Sequence, residues 1–404
     1  MTFLNRKLII SKNKITKWYS IFLSLLPIIS IYSSGIPGLN AGDVFLIIFL
    51  LISFRYKNDK KKKIDYIFLC CYCIYILTIP LIISIVNMKT LNEVIIRTFR
   101  FCFYVFSILR TSQLFFDYKI FRTYVIKVCI IASFFLIVQQ IAYNIFNIYI
   151  KGYIPSMNLY TAMYSSESYH QLILENMYRP SAFFLEPAHC ARYCIIGLIF
   201  LLDDVKNRRN LLKILLICLG IVLTTSGQGI MLLVVYSVFF LLEYSKKITK
   251  NQLCFMIVII CLFFAIFIIL NLKTGIISNN LSRVFNSNTT NASLLGGAIG
   301  ERIGNLFYYI DNFNILSIFG NGFGNVMYKD AWMSGITYSL YGAGLVGTVF
   351  ILLIIGYTVL KKNRISKYCA IIFFMLFITD DLFNTFNIIL YFSSMLYIKE
   401  VDLK

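Results

Sequence analysis

Apolar runs of bilayer-crossing length recur from one end of this 404-residue chain to the other, and only short polar turns separate most of them. That pattern constrains the fold more than any motif. A chain surrounded by hydrocarbon must satisfy its backbone polar groups internally, so spanning segments are helices or closed barrels. Runs near 20 residues with few charges fit helices. The expected fold is an all-α polytopic transmembrane helix bundle, forming a single integral-membrane domain over residues 1–404. Spans are expected at about 18–34, 41–54, 64–86, 91–109, 124–147, 183–202, 210–225, 228–244, 252–271, 333–358, 368–379 and 386–398. That makes about 12 crossings. No small-residue cleavage site follows the first run convincingly, so it reads as an uncleaved span and not a signal peptide.

The charges orient the bundle. The net charge of +20 invites a nucleic-acid reading. It fails, because the basic residues sit in short clusters between apolar runs, as in "RYKNDKKKK" at 55–63. Such clusters mark cytoplasmic loops. Of the 38 Lys and Arg, 28 fall in the alternate segments that this rule puts inside, leaving ten outside. Both termini are therefore expected in the cytoplasm. Two long outer loops are expected, at about 148–182 and 272–332. The second is rich in Asn, Ser and Gly. Long loops in a compact bundle are usually functional or disordered. No internal repeat and no matched pair of Gly/Pro-broken helices is evident, which weighs against a secondary transporter.

Eleven cysteines lie in apolar stretches. "CCYC" at 70–73 lacks a second ligand pair, so buried free thiols are the expected state and no metal site is expected.

The ten outside cations are Lys89, Arg97, Arg100, Lys151, Arg179, Arg192, Lys273, Arg283, Arg302 and Lys329. Arginine's planar fork suits bidentate binding of phosphate oxygens. Arg97 and Arg100 share a helix face in the outer half of their span. They either face an interior cavity, where charge at that depth is normally found, or snorkel to headgroups or pair with Glu93. "RPSAFFLEPAHCARY" at 179–193 gathers two arginines, a glutamate and a histidine at the mouth of an apolar helix. Pro187 suits the first helical turn. Glu186, His189 and Arg192 or Tyr193 then fall on one face. Such a cluster is either structural or an anion and acid/base site, since helix N-termini favour phosphate and a carboxylate there is a candidate proton acceptor. "GNGFG" at 320–324 is either a turn or a nest of backbone N–H groups for an anion. Aromatics of the outer loops (Tyr160, Tyr164, Tyr169, Tyr178, Phe307, Tyr308, Tyr309 and Trp332) either stack sugars or form an interface belt.

In its order of features the chain resembles the bacterial O-antigen and capsular polysaccharide polymerases, Wzy-type, of the O-antigen polymerase/ligase superfamily. "YRPSAFFLEPAHCARYCIIG" at 178–197 resembles the stretch that ends the family's first long outer loop. "TTSGQGIMLL" at 224–233 resembles its Ser-containing turn. "GERIGN" with "IFGNGFGN" resembles its second outer loop, and "YGAGLVGTVF" at 341–350 resembles the Gly-x-x-Gly span entry. The superfamily's ligases carry a His-Asn pair shortly before that entry. Here the region reads "DAWMSGITYSLYGAGLVG" with no histidine, which favours a polymerase.

The resemblance implies metal-independent glycosyl transfer without a cofactor, at the outer face of the bacterial cytoplasmic (inner) membrane. The glycans are linked to undecaprenyl diphosphate and belong to O-antigen or capsule of the cell envelope. Besides these substrates and membrane lipid, it implies chain-length regulator and flippase proteins as partners, and no nucleic acid. Glu186, His189, Arg179 and Arg302 are the expected catalytic residues. Arg192, Arg283, Arg97 and Arg100 are the expected substrate-binding ones. The rival readings are a ligase of the same superfamily and a lipid-linked oligosaccharide flippase or transporter. A flippase needs charge along a pore through both membrane halves, and the inner halves of the spans carry almost none. A membrane O-acetyltransferase would want a histidine deep in the bundle, whereas His170 and His189 both lie outside.

Overall fold

The computed structural model describes residues 3–36, 38–57, 64–86, 91–160, 178–204, 207–244, 305–307, 309–325, 333–380 and 387–398. Among these residues the structure is helical, with no strand and only two isolated bridges. The helices are α1 (Phe3–Ile29), α2 (Ala41–Ser53), α3 (Ile64–Val86), α4 (Leu91–Ser107), α5 (Tyr118–Phe146), α6 (Pro187–Leu201), α7 (Arg208–Leu223), α8 (Gly227–Tyr244), the short α9 (Ile315–Phe319), α10 (Gly335–Lys361), α11 (Arg364–Thr379) and α12 (Asn387–Tyr397). Eleven of the expected spans coincide with helices; the one at 252–271 lies outside the described residues.

Among the described residues, three helical stretches are long and apolar enough to cross a membrane: Tyr66–Ile85, Tyr118–Phe146 and Gly335–Leu360. Ala41–Ser53, Pro187–Leu201, Gly227–Glu243 and Ile388–Tyr397 are apolar but shorter. They fall below the roughly 20 residues that a 30 Å hydrocarbon core asks of a straight helix.

The chain divides into two compact units. The first comprises Met1–Leu23, Phe45–Phe121 and Ser287–Lys404; the second comprises Ser24–Val44 and Arg122–Asn286.

In the first unit, α10 is not one continuous helix. Gly344 has φ 72° and ψ −177°, and the helix breaks there. A break frees carbonyls that must find other donors. The Asn321 and Gly322 amides donate to the carbonyls of Tyr341 (2.8 Å) and Gly342 (3.1 Å). The Tyr75 hydroxyl on α3 donates to the Ala343 carbonyl (2.9 Å) and to Phe319 (2.8 Å). The stretch Gly320–Gly324 is thus a ribbon seated in the helix break, and at least two of its N–H groups are used by α10. It is a packed turn, which answers the alternative of an anion-binding nest. Phe323 anchors it, fully buried against Phe101 and Tyr338 with ring centroids 4.8 and 5.4 Å away. Elsewhere in this unit a hydroxyl chain joins Tyr19, Ser112 and Ser393 at 2.6 and 2.9 Å. Arg110 donates to the carbonyls of Ser53 and Tyr56, and so secures the C-terminal end of α2.

In the second unit α6 is the central helix. Every residue from Cys190 to Leu201 is buried, as expected for a helix that is apolar all round. Small residues let its neighbours approach closely. Gly197 lies against Cys129 of α5, and Gly229 of α8 lies against Ala191. The Tyr193 hydroxyl donates to the Ser24 carbonyl at 2.6 Å. The turn after α1 pairs with residues 158–160, through the Tyr32–Leu159 bridge and the Ser33 and Tyr160 amides.

Candidate functional site

The stretch leading into α6 is built by local rules. Ser181 and Phe184 close a turn, with the Phe184 amide donating to Ser181 and the Ser181 hydroxyl donating back to Phe184. Ala182 within it has φ 51°, a value uncommon outside glycine. Gln139 of α5 holds that residue. Its side-chain oxygen accepts from the Ala182 amide (3.0 Å), and its Nε2 donates to the Ile150 carbonyl (3.0 Å). Gln139 is almost wholly buried. Its signal in the sequence is the pair of glutamines in the apolar run "LIVQQIAYN". Their role could not be read there, because Ala182 is 43 residues away.

Helix α6 then starts as its sequence dictates. Glu186 is the N-cap with extended backbone (φ −133°, ψ 153°), and Pro187 follows at the first helical position. The Glu186 carbonyl accepts from Cys190. The Glu186 side chain makes no capping hydrogen bond. Its carboxylate Oε2 lies 3.9 Å from His189 Nε2, and the two side chains are 35% and 18% exposed. They form an ion pair only when the imidazole is protonated. One turn further in, Arg192 is 2% exposed, and its Nε donates to the Ala188 carbonyl of the same helix at 3.3 Å. A carboxylate and an imidazole thus sit together at the start of a helix that buries a guanidinium one turn further on.

Arg179 is half-buried just upstream, beside Tyr178. Tyr178 is buried, with its ring 4.4 Å from Tyr143 and 5.4 Å from Tyr149. Its hydroxyl is enclosed with no hydrogen-bond partner among the described residues. Burial first, and then the neighbouring phenols of Tyr149 and Tyr143, push its pKa above the ordinary phenol value. Neither Tyr178 nor Tyr309 offers an open face for stacking sugar. Tyr309 is buried with its hydroxyl donating to Ser317 at 2.7 Å. Phe307 is exposed, and Tyr160 is half-buried with its hydroxyl donating to Gly38.

The structure thus brings Glu186 and His189 together, with Arg192 on the same helix and Arg179 in the segment that feeds it. Arg97 and Arg100 belong to the other unit. Arg97 Nη1 donates to the Gly324 carbonyl at 2.8 Å, and its stem packs on that glycine. That bond tethers the ribbon to α4. Arg100 is half-buried on the same helix. Arg302 and Arg283 lie outside the described residues, as do Tyr164, Tyr169, Tyr308 and Trp332. Among the described residues no group of three or more His, Cys, Asp or Glu is arranged to hold a metal ion. Comparison of the chain with models of known protein families, with curated proteins and with solved structures finds no match.

Proposed function

We propose that this protein is a membrane glycosyltransferase of the O-antigen/capsule polymerase type, crossing the bacterial cytoplasmic membrane about 12 times with both termini inside. It joins oligosaccharide repeat units carried on undecaprenyl diphosphate. One observation carries the reading: the Glu186 carboxylate makes no capping bond to its own helix and sits 3.9 Å from His189, at the entrance to a helix whose next turn buries Arg192. In the reaction, a hydroxyl of the acceptor sugar attacks the anomeric carbon of the donor glycan. The bond from that carbon to the diphosphate oxygen breaks, and the lipid diphosphate leaves with the electron pair. Glu186 takes the hydroxyl proton, and His189 orients the carboxylate. Arg179 and Arg302 bind the departing diphosphate, with Arg192, Arg283, Arg97 and Arg100 as the remaining candidates. Cations aimed at charge that develops in the transition state commonly supply a large catalytic share.

The transporter reading gains one observation from the fold, because a discontinuous helix is the usual device for ion and substrate sites in transporters. In α10, however, the carbonyls freed by the break already accept from Asn321, Gly322 and Tyr75. That use weighs against their serving an ion.

The surface glycan of a strain lacking the gene discriminates among the readings. A polymerase null keeps one repeat unit attached and loses the long chains. A ligase null accumulates lipid-linked polymer with none attached. A flippase null loses every outward repeat unit. For the arginines, Arg179→Ala and Arg302→Ala are each expected to shorten chains severely at normal protein abundance. Arg→Lys at either position should rescue only partly, because lysine lacks the bidentate fork. Wild-type chain length in both alanine variants removes these residues from the diphosphate site.

A further inference from the structure

Residues 305–325 belong to the stretch expected to be an aqueous outer loop, yet they expose large apolar side chains. Phe307, Ile310, Phe313, Ile315, Leu316 and Phe319 are all exposed, Ile315 by 76%. Large apolar side chains exposed at this density along a short segment, here interrupted by Asp311, Asn312 and Asn314, are seldom left to water.

Hydrogen bonds to three helices fix how deep the segment lies. The Phe319 carbonyl accepts from Tyr75. Tyr75 stands eleven residues before the end of α3 at Val86, roughly 16 Å along the axis at 1.5 Å per residue. The Phe323 carbonyl accepts from Thr98 Oγ1 at 3.1 Å, and the Gly324 carbonyl accepts from Arg97. Thr98 stands seven residues past the start of α4 at Leu91, roughly 10 Å in. Gly320 packs against Gly344, nine residues past the start of α10 at Gly335, roughly 14 Å in. The end of α3 and the start of α4 are joined by residues 87–90 and share one side of the bundle. Half of a bilayer's hydrocarbon core is about 15 Å.

Irregular backbone is tolerated at that depth only where protein satisfies its polar groups. The segment meets that condition. An Asn314–Ser317 capping box closes the start of α9. The amides of Gly320, Asn321 and Gly322 donate to Leu316, Tyr341 and Gly342, and the carbonyls of Phe319, Phe323 and Gly324 accept from α3 and α4 side chains.

We propose that residues 313–324 form a re-entrant segment. They dip from the side of the α3–α4 junction to about the bilayer midplane, and Phe313, Ile315, Leu316 and Phe319 contact lipid acyl chains. By the charge distribution this is the outer leaflet. Continuity identifies acyl chains as the occupant. The helices to which the segment is bonded expose apolar side chains of the same kind, Ile79 and Ile82 on α3 and Leu345 and Val349 on α10. The placement does not depend on which reaction the protein performs.

Tryptophan fluorescence tests it. Ile315→Trp and, separately, Phe313→Trp are made in the full chain with Trp18→Phe and Trp332→Phe. Each protein is reconstituted in phosphatidylcholine vesicles with or without bromine on the acyl chains. Both positions are exposed, so the larger ring has room, and the second variant stands in if the first does not fold. The expected result is strong loss of emission in brominated lipid and little loss with aqueous iodide. Quenching by iodide without quenching by brominated lipid overturns the proposal in favour of an aqueous loop. Shielding from both quenchers also overturns it, because the face is then covered by protein.

Discussion

Replacing Glu186 with glutamine is expected to lower polymerisation per molecule by about 10² to 10⁴-fold, the usual share of a general base. Glutamine keeps the shape and hydrogen-bonding capacity of the side chain and removes its ability to take a proton. The local geometry separates this effect from loss of stability. Removing an N-cap side chain commonly costs about 1 kcal/mol, but the Glu186 side chain makes no capping bond. The helix start is held by Pro187 and by the Glu186 carbonyl, both of which glutamine retains. Abundance and thermal stability should therefore stay near wild type. His189→Ala should cost less than Glu186→Gln, since in the proposed mechanism the imidazole only orients the carboxylate 3.9 Å away. Chain length is measured with purified, reconstituted protein at matched concentration. Near-normal activity per molecule in Glu186→Gln withdraws the base assignment, whatever the abundance.

The meeting of Glu186 and His189 at the start of α6 was legible in the sequence because its parts are close along the chain. Proline at the first helical position fixes where α6 starts, and a spacing of three residues puts His189 beside Glu186. Helix positions were legible for a similar reason, since each apolar run carries its own signal. The interval 64–86 matches α3 in full. The misses are physical. Helix α5 begins at Tyr118, six residues ahead of the apolar run, because Asp117 accepts from the Ile120 amide and starts a helix whose first turns carry Lys119 and Arg122. Hydropathy cannot see a charged first turn. Helix α1 ends at Ile29 although apolar residues continue, because the backbone at Tyr32 and Ser33 bonds to residues 158–160. Contacts at long separation leave no local trace. One partner of Arg97 is a backbone carbonyl 227 residues away, a contact that residue type alone does not announce.

The break in α10 was hidden in the same way, and it supports the second large expectation. "YGAGLVG" reads as a run of small residues on a continuous helix. In the structure Gly344 (φ 72°, ψ −177°) and Gly320 (φ 89°, ψ 157°) occupy backbone conformations essentially closed to other residues, and their backbones touch. A Cβ on Gly344 would lie 2.5 Å from both the Gly320 amide nitrogen and the Phe319 carbonyl carbon, and would strike the Ile318 carbonyl oxygen. A Cβ on Gly320 would lie 2.5 Å from the Gly344 nitrogen and strike the Gly342 carbonyl. These neighbours are backbone atoms, so no side-chain rotation relieves the clash. Forcing an L-residue into such a conformation costs on the order of 1–3 kcal/mol, and overpacking adds about 1–3 more. Set against a total stability of roughly 5–15 kcal/mol, Gly344→Ala and Gly320→Ala should each sharply lower the thermal midpoint of the detergent-solubilised protein or abolish its monodisperse peak. Gly356→Ala, further along α10 in a helical position with nothing within 4 Å, should be neutral or slightly stabilising, because alanine favours helix over glycine by about 1 kcal/mol. The double variant of Gly320 and Gly344 should cost less than the two single losses added, since both substitutions open one shared contact. Wild-type melting of Gly344→Ala would mean that the ribbon does not seat against α10, and the depth assigned to residues 313–324 would lose its anchor with it.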